Sequence, residues 1–383
     1  MRRAGQRELE QLLPPPEARA FRGHVLVHDA EDDSLVPITA DTRAHPALLE
    51  ADLVLVVGAA ETVLHGGPGS LAGACDAATV RRAAMASSLL QAGRAPGWEL
   101  ALEIEEAIGR RTPLLGVSLT LDLPRATGTL RGYPEDADAV RRVGRSWTRA
   151  LLSTLPGSLR RAVLASRVRR VATTAVFAGK PSVAHAEALV RGVELRGARL
   201  AEPVDALVVG VPWVGPHMPR EPTNPVTAAA VALGLALRLH RDSFPVAASG
   251  TLVLAHPFTR SFGPGEAPYA TMLASLRAAG GPHELEALEA SATQDERAIA
   301  EYRAGRACHP LLPYADWAGC APALAHLGRV IVAGCRDATA ARALGLVPSH
   351  GVASALQMTH GVAGGQARLG VLLAPPYPPL LVG

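Results

Sequence analysis

The stretch that decides the fold is residues 51–70, ADLVLVVGAAETVLHGGPGS, where an unbroken apolar run gives way to a small-residue turn and then to a glycine-rich loop. Residues 53–57 hold no polar side chain and are β-branched at three of five positions, the composition of a strand buried on both faces. Gly58 ends the run. His65, Gly66, Gly67, Pro68, Gly69 and Ser70 then lead toward residues 76–91, which can be helical, so the local order is strand, glycine loop, helix. Such a loop lets backbone amides approach an anion at a helix N-terminus. The alternative is a loop that only reverses the chain, the commoner use of a glycine-rich turn.

With 383 residues the chain is too long for one ordinary core, and a division into two domains, 1–200 and 201–383, is expected. Apolar residues at 48% and charged residues at 19% describe a globular chain, and aromatics at 4% mean that the core is built from Ala, Val and Leu. The net charge of +3 and the lack of a basic run interleaved with aromatics give no support to a nucleic-acid surface. Cys75, Cys308, Cys320 and Cys335 show no CxxC spacing, which argues against a structural zinc site and for a reduced, cytoplasmic protein. No membrane span is expected, since the longest apolar stretch, 226–237, is short and interrupted by glycine. The sequence does not fix the oligomeric state.

Along the chain, residues 7–13 read as a short helix stopped by three prolines, and 23–28 as a strand that ends in the acidic turn 29–33. Residues 98–109 form an amphipathic helix with Glu103, Glu105 and Glu106 on an expected solvated face. Strands are expected at 112–122 and 171–178, with helices at 136–155 and 185–192, where His185 packs or caps. From Asp205 the alternation restarts with DALVVGVPW, GTLVLAHPF at 250–258, GRVIVAGC at 328–335 and ARLGVLLAPP at 367–376. Apolar strand, short turn and helix in repetition are the grammar of an α/β fold with mainly parallel sheets, here in two domains with a cleft between them.

Ligands of open α/β sheets bind beyond the carboxyl ends of strands. Three polar stretches stand there: 215–224 (GPHMPREPTN), 256–266 (HPFTRSFGPGE) and 309–317 (HPLLPYADW). His217, His256 and His309 are acid–base candidates, because imidazole passes protons near neutral pH. Each also fits a satisfied loop histidine. Arg260 is placed to clamp a substrate carboxylate, or to pair with Glu266. No Ser-His-Asp signature, P-loop, GxGxxG or HExxH stands at a convincing position.

The order of VLVHDAEDDSLVPI, ALLEADLVLVVG, GGPGSLAGACDAATV and VFAGKPSVAHAEALVRGV resembles the amino-terminal domain of the nickel-dependent lactate racemase family. DALVVGVP, TNPVTAAAVALGLALR, GTLVLAHPF and HLGRVIVAG are similar to the carboxyl-terminal domain of its divergent members. The resemblance implies an isomerase that racemises or epimerises small 2-hydroxy acids, with a nickel pincer nucleotide between its domains. In that chemistry the cofactor takes and returns a hydride while histidines move the hydroxyl proton.

The departures fall on the cofactor. Where the family carries a tethering lysine after its glycine pair, this chain has Gly69, and Thr79-Val80 is followed by Arg81-Arg82-Ala83-Ala84-Met85 with no nickel-binding histidine. Lys180, the lone lysine, lies in a GKP turn and takes no tether role. Relative to the family, the chain begins in the middle of the first domain, so a substrate-binding arginine segment and an early acid–base histidine would precede Met1. Two readings follow. One is a divergent isomerase that binds the pincer nucleotide noncovalently through Gly66, Gly67, Pro68, Gly69 and Ser70, with His65, His217, His256 and His309 as acid–base groups. The other is a noncatalytic relative that keeps the fold and a small-anion pocket.

Overall fold

The computed structural model describes residues 2–4, 9, 13, 15–84, 86–123, 125–133, 136–167, 171–212, 222–282, 285–372 and 377–383. Most of the expected helix at 7–13, and His217 with its segment 213–221, lie outside these residues. The first half is built on β1 (Val54–Ala59), α1 (Pro68–Ala72), α2 (Ala77–Ala83), α3 (Pro96–Gly109), β2 (Leu114–Leu121), β3 (Thr173–Gly179) and α4 (Pro181–Arg196). β1 runs parallel to β2 and β3 antiparallel to it, in a three-stranded sheet of order β1-β2-β3. The link from β2 to β3 runs through the helices Ala137–Arg145, Trp147–Thr154 and Gly157–Ser166.

The strand read at 53–57 is present, but it is not buried on both faces. Val56 packs with Leu71, Ala101, Ile104 and Ile108 of the covering helices. Leu55 is 53% and Val57 56% exposed, and Leu115 and Val176 open on the neighbouring strands. With three strands and helices on one side only, the unbroken apolar run covers an open face as well as a closed one.

The expected helix 76–91 is shorter. Asp76 caps it, its Oδ1 accepting from Thr79 N at 2.9 Å, and α2 stops at Ala83. Beyond that point Leu89 N donates to Arg238 O at 2.8 Å and Ser88 Oγ to His240 O, so tertiary hydrogen bonds override helix propensity. The helix expected at 136–155 breaks at Ser146, which takes extended backbone and turns its hydroxyl onto Val143 O.

The second half contains β4 (Val204–Gly210), α5 (Pro225–Ala229), β5 (Val246–Ala255), α6 (Ala267–Ala278), α7 (Leu312–Ala318), β6 (Arg329–Ala333), β7 (Val347–Ser349) and β8 (Leu369–Leu372). Its five-stranded sheet has the order β7-β6-β5-β4-β8 and is parallel throughout, with Val253 of β5 between Val208 and Ile331. Here the apolar runs are enclosed on both faces. Leu207, Val209, Leu252, Leu254, Val330 and Val332 join the main core, while Val208, Val253 and Ile331 form a smaller cluster with Ala355 opposite.

α5 is capped by Asn224, whose Oδ1 accepts from Val226 N and Thr227 N, each at 3.0 Å. It passes into a π-helical turn, Ala230–Leu235, and a 3₁₀ turn, Ala236–Arg238. Residues 225–238 are almost wholly buried, so the longest apolar stretch is a core helix. No helix among the described residues is long and apolar enough to cross a membrane.

Among the contacts between the halves, two seams bear on the site. In one, segment 84–89 bonds to residues 238–240 as above. In the other, Arg303 Nε reaches Asp29 Oδ2 at 2.7 Å and Tyr302 Oη donates to His28 O.

Candidate functional site

A cavity of about 490 Å³ lies where the glycine loop of the first half meets the π-helical turn of the second. Thr62, His65 and Gly69 line it from one side, and Thr227, Arg238 and Asp316 from the other. Apolar side chains such as Val80, Val231 and Leu235 fill the wall between them. Its size and its mostly apolar wall with a few convergent polar groups are those of a small-molecule site. A π-turn inside a helix is itself common at functional sites.

His65 is fixed by the turn before it. Its Nδ1 shares a 2.7 Å hydrogen bond with Thr62 Oγ1, which also accepts from His65 N at 3.0 Å. Thr62 O accepts from His185 Nε2 at 2.8 Å. Asp316 Oδ2 accepts from Tyr269 Oη at 2.6 Å, and burial beside that carboxylate raises the Tyr269 hydroxyl well above its usual range.

Arg238 is buried with no carboxylate paired to it among the described residues. Nη1 donates to Gly319 O and Gly234 O, and Nη2 to Ala86 O and Ala84 O, at 2.6–3.4 Å. Most of these carbonyls end helical segments, where the backbone carries partial negative charge, so its guanidinium is compensated by dipoles.

The glycine loop has a structural purpose. Gly66 and Gly67 take φ of +103° and +50°, which side chains rarely adopt, and the His185 ring lies over them; a Cβ at Gly67 would come within 2.6 Å of His185 Cγ. His185 is therefore the lid of the loop, fully buried, with its imidazole pushed below its ordinary pKa by desolvation. Gly69 N donates to Gly66 O at 3.0 Å and Ser70 N to Gly67 O at 3.1 Å, so two of the amides an anion would use close the loop on itself.

Of the other expected histidines, the two among the described residues, His256 and His309, are not brought to this cavity. His256 ends β5, buried, with Nδ1 accepting from Phe258 N at 3.2 Å, and burial pushes its pKa down to about 4. His309 lies in the second seam, its Nε2 at 3.6 Å from Glu31 and 4.0 Å from Asp29. Arg260 is exposed, and Glu266 is taken by Asn224 Nδ2 and Gly263 N, each at 2.9 Å, so the anticipated Arg260–Glu266 pair does not form.

Glu105 also departs from its expected solvated position. It is 1% exposed and accepts from Ser182 N at 2.9 Å and Ser182 Oγ at 3.0 Å, with Lys180 Nζ at 3.4 Å, where it caps the start of α4.

A lysine tether of the kind the family carries does not fit at Gly69. At Gly69 a Cβ would sit 2.9 Å from Leu64 C and closer still to Leu64 O, so the backbone itself excludes a side chain where the tether would stand. No group of three or more His, Cys, Asp or Glu side chains among the described residues is arranged to hold a metal.

No family model and no curated protein matches the chain. Among solved structures it aligns with a Thermotoga maritima protein at TM-score 0.47 and 10% identity, covering 99% of this chain and 83% of that one. It also aligns with the lactate racemase apoprotein from Thermoanaerobacterium thermosaccharolyticum at TM-score 0.57 and 13% identity, over 97% of this chain and 74% of that one. The similarity to the lactate racemase apoprotein is one of fold, and it embraces almost all of this α/β chain.

Proposed function

We propose that the chain binds a small 2-hydroxy acid in the cavity beside His65, between the halves 1–200 and 201–383, and does so without a tethered nickel nucleotide. The observation that carries this reading is Gly69: the place of the tether is closed by Leu64 O, while the cavity next to it stays open. A hydroxy acid suits the wall, because its hydroxyl can bond to His65 or Thr227 while its short carbon chain meets Val231 and Leu235. On this reading the protein is a noncatalytic small-anion-binding relative of the racemase fold.

A second reading, a racemase-like isomerase, is favoured by one arrangement. His65, held by Thr62, and Asp316, held by Tyr269, line the same cavity, and two groups able to take protons at one site suit an isomerase. One experiment separates the two. Protein purified from a host that makes the pincer nucleotide is assayed for nickel, for thermal stabilisation by D- and L-lactate and D- and L-malate, and for interconversion of their enantiomers by chiral chromatography. Stabilisation with neither nickel nor interconversion is expected. Interconversion would install the isomerase instead, and no stabilisation by any of the acids would end the binding proposal.

A further inference from the structure

A second cavity, about 270 Å³, shares the wall of Glu61, Thr62 and Leu235 with the first, and is completed by Arg196, Leu239 and Tyr377. Arg196 is the last residue of α4, and its guanidinium folds back along the helix over Gly192, where a Cβ would lie 3.1 Å from Nη2. The Arg196 side chain is 5% exposed. Nη1 pairs with Glu61 Oε1 at 3.2 Å, and the buried Nε has no hydrogen-bond partner among the described residues. Guanidinium carries five N–H donors in a flat fork, and a buried cation with donors unused is costly.

The contrast with Arg238 is instructive. Arg238 likewise leaves its buried Nε without a partner among the described residues, but it spends its terminal donors on backbone carbonyls that cannot leave. The partner of Arg196 is a carboxylate that can, since the Glu61 side chain is 49% exposed and regains water when displaced. Tyr377 Oη, also lining the cavity, is already committed to Gly210 O at 2.6 Å, which leaves the guanidinium as the cation of this cavity able to take a new carboxylate.

We propose that Arg196 is the carboxylate-recognition residue of this protein, and that Glu61 is an internal stand-in which holds the guanidinium until the carboxylate of a small organic acid replaces it. The ligand then extends from Arg196, past Thr62, toward His65 in the larger cavity. This rests on the binding reading above for the hydroxyl end of the ligand but not for its carboxylate. A bidentate carboxylate on Arg is among the stronger polar contacts available to a buried site. Because the incoming acid must displace a resident one, removing Glu61 strengthens binding and removing the Arg196 charge weakens it.

The test is calorimetric titration of the full chain with L-malate, L-lactate and succinate, in wild type, Arg196→Gln, Arg196→Lys and Glu61→Gln. Arg196→Gln is expected to weaken carboxylate binding roughly tenfold or more, with Arg196→Lys between it and wild type. Glu61→Gln is expected to tighten binding roughly two- to fivefold, as loss of a half-exposed competing ion pair would. A purely structural Arg196 would not make its partner's removal tighten a ligand, so Glu61→Gln decides the matter even where Arg196→Gln fails to fold. Hydroxy acid affinities unchanged in Glu61→Gln would overturn this inference and leave the binding proposal standing. Succinate binding that responds to both variants, without binding of malate or lactate, would do the reverse. Binding of none of the three would end both.

Discussion

Replacing Gly69 by alanine tests the argument against a tether directly. The added Cβ would lie 2.9 Å from Leu64 C and nearer to its oxygen, whereas ordinary contacts of this kind begin near 3.4 Å. Backbone lies on both sides of that contact, so no rotamer relieves it. Gly69 N also donates to Gly66 O at 3.0 Å, and a shift large enough to seat the methyl would stretch that bond. Overpacking of this kind costs about 1–3 kcal/mol, and a weakened hydrogen bond adds about 1 kcal/mol. We therefore expect Gly69→Ala to lower unfolding free energy by roughly 2–4 kcal/mol in urea titrations followed by circular dichroism. Gly73, one turn on, is the control. Its φ is −66° and the nearest atom to its Cβ position, Ser70 O, lies at 3.4 Å, so Gly73→Ala should be neutral or stabilise by about 0.5 kcal/mol. A Gly69→Ala protein as stable as wild type would show that the loop opens freely, and the exclusion of a side chain there would be wrong.

His65→Ala should keep the fold yet weaken binding of L-lactate about tenfold, measured by thermal shift across a concentration series; unchanged affinity would take His65 out of the site. Glu105→Ala leaves Ser182 N, Ser182 Oγ and the start of α4 without their acceptor, and should cost about 2–4 kcal/mol of stability in the same urea assay. Stability should also fall with acid. Burial holds His240 and His256 at pKa values of about 4, so below about 6.5 the unfolded chain binds protons that the folded chain refuses, and stability declines as pH drops from 6.5 toward 4. Each contributes roughly 3 kcal/mol over that window. His240→Leu should remove about half of their joint slope in pH-dependent denaturation, and an unaltered slope would refute the assignment.

The strands were legible because enclosed parallel strands need apolar, β-branched runs, and 204–210 and 329–333 read that way without help from tertiary context. The same rule misled at 53–57, since an apolar run does not say whether a second layer covers it. Glu105 was read as solvated because its partner, Ser182, is 77 residues away in the chain. His256 does follow a strand end in a loop, whereas His309 follows the helix Glu296–Arg303 and not a strand, and position along the chain does not say which seam or cavity a side chain enters: His309 went to Asp29 and Glu31. Asp316 stood in the quoted stretch 309–317, overshadowed by that histidine. A lone arginine closing the most apolar helix was the available signal for Arg238. Arg196 had none, because its significance depends on what it lacks in three dimensions.

Arg238 draws together the ends of three separate segments: Ala84 and Ala86 from one half, Gly234 from its own turn, and Gly319 beyond α7. With that fastening in place the halves have little freedom to swing apart as clamshell enzymes do, because rotation would take both carbonyl acceptors from Nη2 of a buried cation at once. Guests must then come and go through small displacements of side chains at the rim, where half-exposed Glu61 stands. The dimensions of an acceptable guest would then be set before it arrives.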